Sequence, residues 1–230
     1  MFARHDIGWR GVLVAALFSV LVITVSTALS SNWPRSLANV LVSEGGNDDD
    51  PRDPGGRTSR GIIQREWDAW RRTRPGLPAD VWQAPQREVE AIYRAKYWDH
   101  PCVRADDLPA GLDYTVFDYG VNSGVGRAGK VLRRVLRLSD AECAVTDDVL
   151  AALRKRGKFE LIEAINAERM RFLRGLRTWR YFGNGWGRRV ESVRVISLRM
   201  AGPATARPIE LWPAYGPHKA YEGDTAEVPP

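Results

Sequence analysis

A chain of 230 residues with 44% hydrophobic content can bury one good core or two small ones, which excludes a wholly disordered protein. Its net charge of +6 is unevenly spread: residues 33 to 125 carry 12 Lys/Arg against 15 Asp/Glu, whereas 126 to 201 carry 18 against 8. The second half therefore favours polyanions, whether nucleic acid, anionic lipid or a carboxylate-bearing wall polymer, and sign alone does not choose among them.

In chain order, Gly11 to Leu29 is an uncharged apolar run of about the 20 residues a helix needs to cross a bilayer, preceded by Arg4 and Arg10. It reads as an export segment, either cleaved after the small residues Ala28 and Ser30 or retained as an anchor. A short helix is expected from Leu37, Val40 and Leu41 to Ser43-Glu44, stopped by Gly45-Gly46. The polar stretch that follows, rich in Asp, Pro and Gly, is expected to be a structured loop with a short hairpin. Helical spacing resumes over Gln64 to Arg72, over Gln86 to Tyr97, and from Pro109 through Leu112, Val116, Phe117 and Val121. Further helices are predicted over Val131 to Leu136, Asp147 to Arg154, Phe159 to Leu176 and Gly187 to Met200, with an aromatic turn at 180 to 186. Beyond Ala201 the Pro-rich tail has no periodicity and is expected to be disordered. Cys102 and Cys143 lack the spacing of a zinc site; they form one disulfide in an oxidising compartment or remain two buried thiols.

The acidic loop is where chemistry could reside. Metal-free cleavage of a glycosidic bond needs a proton donor at the leaving oxygen and a second carboxylate across from it. Glu44 sits at the end of an apolar helix, where packing is expected to raise its pKa toward that of a general acid, and the loop supplies Asp48, Asp49, Asp50 and Asp53. A solvated acidic turn and a calcium site remain alternatives on composition alone, although the spacing is not that of an EF-hand.

The segment Ser43-Glu44-Gly45-Gly46 followed by Asp50-Pro51-Arg52-Asp53-Pro54-Gly55-Gly56-Arg57-Thr58-Ser59-Arg60-Gly61-Ile62 resembles the signature of glycoside hydrolase family 108. The resemblance continues through Tyr93 to Asp99, Leu108 to Asp113 and Val116 to Gly124. It implies a muramidase cleaving the β-1,4 bond between N-acetylmuramic acid and N-acetylglucosamine, with Glu44 as catalytic acid and no cofactor or metal. The E-x8-D-x4-T pattern of Glu44, Asp53 and Thr58 is also similar to the triad of phage-type lysozymes, which implies that Asp53 activates water and Thr58 holds it. An inverting outcome would then require the two carboxyls to stand about 6.5–9.5 Å apart. Asn47 and Ile63 depart from the family pattern, in which Tyr and Thr stand. The moderate hydrophobicity of Gly11 to Leu29 resembles the signal-arrest-release segments of phage endolysins.

Other residues have two readings each. Asn122 and Ser123 either hydrogen-bond a sugar acetamido group or merely end a helix at Gly124. Tyr97 and Trp98 either stack on a sugar ring or fill the core. Residues 126 to 201 resemble the peptidoglycan-binding module that follows this catalytic domain, above all in Phe182-Gly183-Asn184-Gly185-Trp186-Gly187-Arg188-Arg189-Val190. Its arginines could pair with stem-peptide carboxylates and Trp186 could meet a sugar, or these residues are a helix joint and a solvated face. No groove-reading motif accompanies the charge, so nucleic acid is not an expected partner.

The expectation is a mainly α, lysozyme-like α+β protein. It comprises an N-terminal hydrophobic helix (1–32), a helical catalytic domain with a small β excursion (33–125), a helical wall-binding module (126–201) and a tail (202–230). A monomer is expected, acting on peptidoglycan while tethered to the inner membrane and facing the periplasm, or free in the periplasm after release. The competing class is a non-catalytic wall-binding protein that assists secretion.

Overall fold

The computed structural model describes residues 31–44, 46–49 and 56–202. The apolar run Gly11 to Leu29, Asp53 and the tail beyond residue 202 lie outside the described residues. Among the described residues no helix is long and apolar enough to cross a membrane.

Helix α1 (Trp33–Glu44) leads into a three-stranded antiparallel sheet of β1 (Asn47–Asp48), β2 (Thr58–Ser59) and β3 (Ile62–Ile63), in that order. Thr58 is opposite both Asp48 and Ile63. The two residues between β2 and β3, Arg60 (φ 50°) and Gly61 (φ 77°), both lie in the left-handed region, which matches the turn to the strands' twist. Thus the loop after Glu44 does contain a hairpin, with a third strand added.

The remainder is helical: α2 (Gln64–Arg71), α3 (Gln86–Tyr93), α4 (Leu112–Ser123), α5 (Val125–Val135), α6 (Asp147–Leu153), α7 (Lys158–Arg174) and α8 (Trp179–Met200). Helix α3 runs on into a wider π turn, Arg94–Trp98, closed by the Asp99 amide donating to the Arg94 carbonyl at 2.8 Å. The sequence predicts an uninterrupted α-helix to Tyr97. The extra residue in the turn brings Tyr93 and Trp98, five positions apart, to the same buried side.

One correction concerns residues 180 to 186, expected to form a turn; they are the first turns of α8. Gly183 explains the misreading. A Cβ there would lie 2.6 Å from Trp179 Cε2, so the glycine admits the Trp179 ring against the helix instead of bending the chain. The break between α7 and α8 falls earlier, at residues 175 to 178.

Core packing centres on Trp33, which meets Trp98 and Phe117 edge-on at 5.4 and 5.8 Å, while Trp98 meets Phe117 at 5.2 Å. One hydrophobic cluster runs from Trp33 through α4 and α5 to Ala201. It is therefore continuous across residues 125 and 126, the boundary expected between catalytic domain and wall-binding module. A smaller cluster of Met170, Leu173 and Val190 joins α7 to α8, with Trp179 and Trp186 against it. Cys102 and Cys143 are joined as a disulfide, linking the segment before α4 to the loop between α5 and α6.

Candidate active site

Glu44 is the last residue of α1, where the chain turns from helix into sheet. Its Oε1 accepts a hydrogen bond from Arg189 Nη2 at 2.9 Å, an ion pair joining residues 145 positions apart. The same nitrogen donates to Asp118 Oδ2 at 3.1 Å, and Arg189 Nε to Asp118 Oδ1 at 3.4 Å. Asp118 is fully buried in α4 and is met from its other side by Arg169 Nη1 of α7 at 2.7 Å, itself buried. Two carboxylates and two guanidinium groups thus form one row, Glu44–Arg189–Asp118–Arg169, with balanced formal charge.

Burial alone would raise the Asp118 carboxyl, but Arg169 and Arg189 outweigh it and hold it below the usual carboxylate range. For Arg189, burial works against the charge, yet Asp118 and then Glu44 drive its pKa above the ordinary value. The guanidinium is a permanent cation, fixed from behind and presented to Glu44.

The other side of Glu44 faces the hairpin. A Cβ at Gly61 would come within 3.1 Å of Glu44 Oε2 and 2.5 Å of Tyr93 Oη. Tyr93 Oη donates to the Arg60 carbonyl at 2.8 Å, tying α3 to the β2–β3 turn. Burial first, and then the negative charge of Glu44, push the Tyr93 phenol well above its ordinary pKa, so it stays a donor throughout the working pH range. The sequence reading placed Glu44 beside an apolar helix end. Glu44 does end that helix, and its carboxylate is paired with Arg189, with 22% of the side chain exposed.

Thr58 lies in β2, half-buried, its Oγ1 donating to the Gly56 carbonyl at 3.2 Å. Next to it stands a residue that sequence reasoning missed: Trp82, 37% exposed, whose Nε1 donates to the Thr58 carbonyl at 3.2 Å and whose ring carries the Arg57 guanidinium at 4.5 Å. An exposed indole fixed in this way offers an apolar face to a sugar ring. Tyr97 is half-buried and tilted against Tyr93 at 5.5 Å, so it adjoins the residue that faces Glu44. Trp98 is fully buried between Trp33 and Phe117; it fills the core and meets no sugar. Asn122 and Ser123 end α4, bonded to each other at 3.1 Å, and Gly124 follows with φ 91°. Trp186 sits one turn before Arg189 on α8, half-buried against Trp179 and Phe182. Asp53 is outside the described residues.

The arginines of the second half are not a uniformly solvated face. Arg133, Arg169 and Arg194 are buried, each holding carboxylates. Asp118 and Arg189, which the site depends on, both fall inside motifs visible in the sequence, at 116–124 and 182–190.

The profile of glycosyl hydrolase 108 matches residues 37–124, a span that includes Glu44, the sheet and Asp118. The solved structure of SagA from Brucella abortus is similar over 76% of this chain and 98% of its own, at 34% identity and a TM-score of 0.64. The chain belongs to glycosyl hydrolase family 108. No curated protein matches. As a family 108 member it is a glycoside hydrolase of lysozyme type that acts on peptidoglycan. The likeness to SagA extends well beyond the profile's last residue, in keeping with a core that does not stop at α4.

Proposed function

We propose that the protein is a muramidase, cleaving the β-1,4 bond between N-acetylmuramic acid and N-acetylglucosamine, with Glu44 as the proton donor. The single observation that supports this is the Glu44 carboxylate held at 2.9 Å by Arg189 at the mouth of the hairpin. As a proton leaves Glu44 for the departing oxygen, negative charge develops on the carboxylate, and Arg189 stands ready to stabilise it without reorganisation. The row of four charges is neutral when Glu44 is ionised, so it is complementary to the state after proton donation.

The second carboxylate is assigned to Asp53 and the positioning of water to Thr58, giving inversion at the anomeric carbon. The protein acts outside the cytoplasm as a monomer, held by Gly11 to Leu29 at the inner membrane or released into the periplasm. The Cys102–Cys143 bond supports an oxidising compartment. The test is muropeptide analysis by mass spectrometry. Reducing muramic acid ends are expected from the wild type, and their release should fall by about 10²–10⁴-fold in Glu44→Gln. Anhydro ends would identify a lytic transglycosylase, freed stem peptides an amidase, and unchanged release by the variant would remove Glu44 from its role.

A further inference from the structure

The basic second half contains a cavity of about 590 Å³ walled by α4, α5 and α7, and the chemistry at Glu44 makes no use of it. Its lining includes four cations, Arg127, Lys130, Arg134 and Arg171, against one carboxylate, Glu168. Glu168 is already taken: Arg171 bonds it and Arg134 approaches it at 3.9 Å, while Arg134 also holds Asp140 at 2.5 Å. Arg127 and Lys130 are left with no carboxylate partner among the described residues, one turn apart on α5. The Arg127 guanidinium is seated over the Phe172 ring at 3.7 Å, which fixes its position at the wall.

A second, independent observation points to a ligand. Tyr119 lines the same cavity, is fully buried, and its hydroxyl has no hydrogen-bond partner. Burial raises its pKa, and the charges of Arg169, Arg127, Glu168 and Arg134 all act on it. A buried donor left unsatisfied is costly, and surplus cations around it identify the missing partner as an anion. Phe172 and Val131 add an apolar wall for which a bare inorganic anion has no use, and the volume far exceeds that of one.

We propose that this cavity is a second substrate-binding subsite that takes a carboxylate of the wall polymer's stem peptide, held by Arg127 and Lys130 with the Tyr119 hydroxyl donating to it. The inference rests on the reading of the protein as a peptidoglycan hydrolase. It adds that the enzyme grips the peptide as well as the glycan, at a place built by the helices that follow the catalytic sheet.

The test is calorimetric titration of the full-length chain in mild detergent with the tetrapeptide L-Ala-γ-D-Glu-diaminopimelate-D-Ala. Binding is expected, weakened about tenfold or more by Arg127→Gln with Lys130→Gln and severalfold by Tyr119→Phe. Thermal unfolding should change little in the double variant, because both side chains are exposed and neither holds a carboxylate. No binding, or binding that the variants leave intact, overturns the proposal. Inorganic phosphate displacing the peptide at equal concentration overturns the choice of ligand. Muropeptide release from sacculi is measured separately: its absence in the wild type would overturn the muramidase reading while leaving the titration to decide the subsite.

Discussion

Arg189 Nη2 reaches Glu44 Oε1 at 2.9 Å across a sequence separation of 145 residues, so α8 supplies the cation that holds the carboxylate at the end of α1. Replacing that fork by a single ammonium should separate positioning from folding. In Arg189→Lys the point charge cannot serve Asp118 and Glu44 with the same geometry. We expect kcat to fall on the order of 10²-fold with a small change in KM. Steady-state kinetics on soluble glycan fragments would check this, and an unchanged kcat would show that Arg189 does not orient Glu44.

Asp118 carries the opposite burden, being the anion between two guanidinium groups. Asp118→Asn leaves Arg169 buried without a counter-charge and Arg189 with Glu44 alone, and should cost about 3–5 kcal/mol of stability, measured by urea unfolding. The pH dependence follows with a definite sign. The folded Asp118 pKa is depressed, so its contribution is fully present above the unfolded value of about 3.9 and disappears as pH falls through the folded value. Asp113 works the other way, because burial raises its carboxyl despite hydrogen bonds from Asn32, Tyr114 and Gly111. The acid limb of the stability curve should therefore be steeper in the wild type than in Asp118→Asn.

Gly61 is the tightest point around the acid. Gly61→Ala would place a methyl group 2.5 Å from Tyr93 Oη and 3.1 Å from Glu44 Oε2 at a backbone φ of 77°. Activity should drop on the order of 10²-fold as Glu44 is displaced. Adding Tyr93→Phe removes the nearer clash and should restore part of the loss, read in the same muropeptide assay; no recovery would mean that the strained backbone alone is responsible.

The Cys102–Cys143 bond closes a sequence separation of 41 residues. Replacing both by Ser should lower unfolding free energy by about 4 kcal/mol on the chain-entropy estimate. A reducing agent should do the same to the wild type and nothing to the double variant, as monitored by urea midpoint.

Much of the architecture was legible in the sequence because it rests on local periodicity. The limits of α2 and α6 fall within one residue of the predicted spans Gln64 to Arg72 and Asp147 to Arg154. Where reading failed, the determinant was a contact distant in sequence. Gly183 and Gly185 look like turn residues, and only the Trp179 ring lying against Gly183 shows why a helix needs a glycine there. The π turn at Arg94–Trp98 interrupts a span that the sequence reads as one helix from Gln86 to Tyr97. Glu44 could be picked out from its motif, but its partners could not: Asp118 and Arg189 look like one more acid and one more arginine until the helices bring them together. Trp82 carries no motif and is noticed only because its ring is exposed beside Thr58.

The cation paired with Glu44 comes from α8, so a chain cut after α4 lacks it. A ribosome that has emitted only the first 125 residues has made Glu44 but neither Arg169 nor Arg189, and such a fragment is expected to release no muropeptides. For the same reason, whatever replaces the segment after α4 must also return an arginine to Glu44.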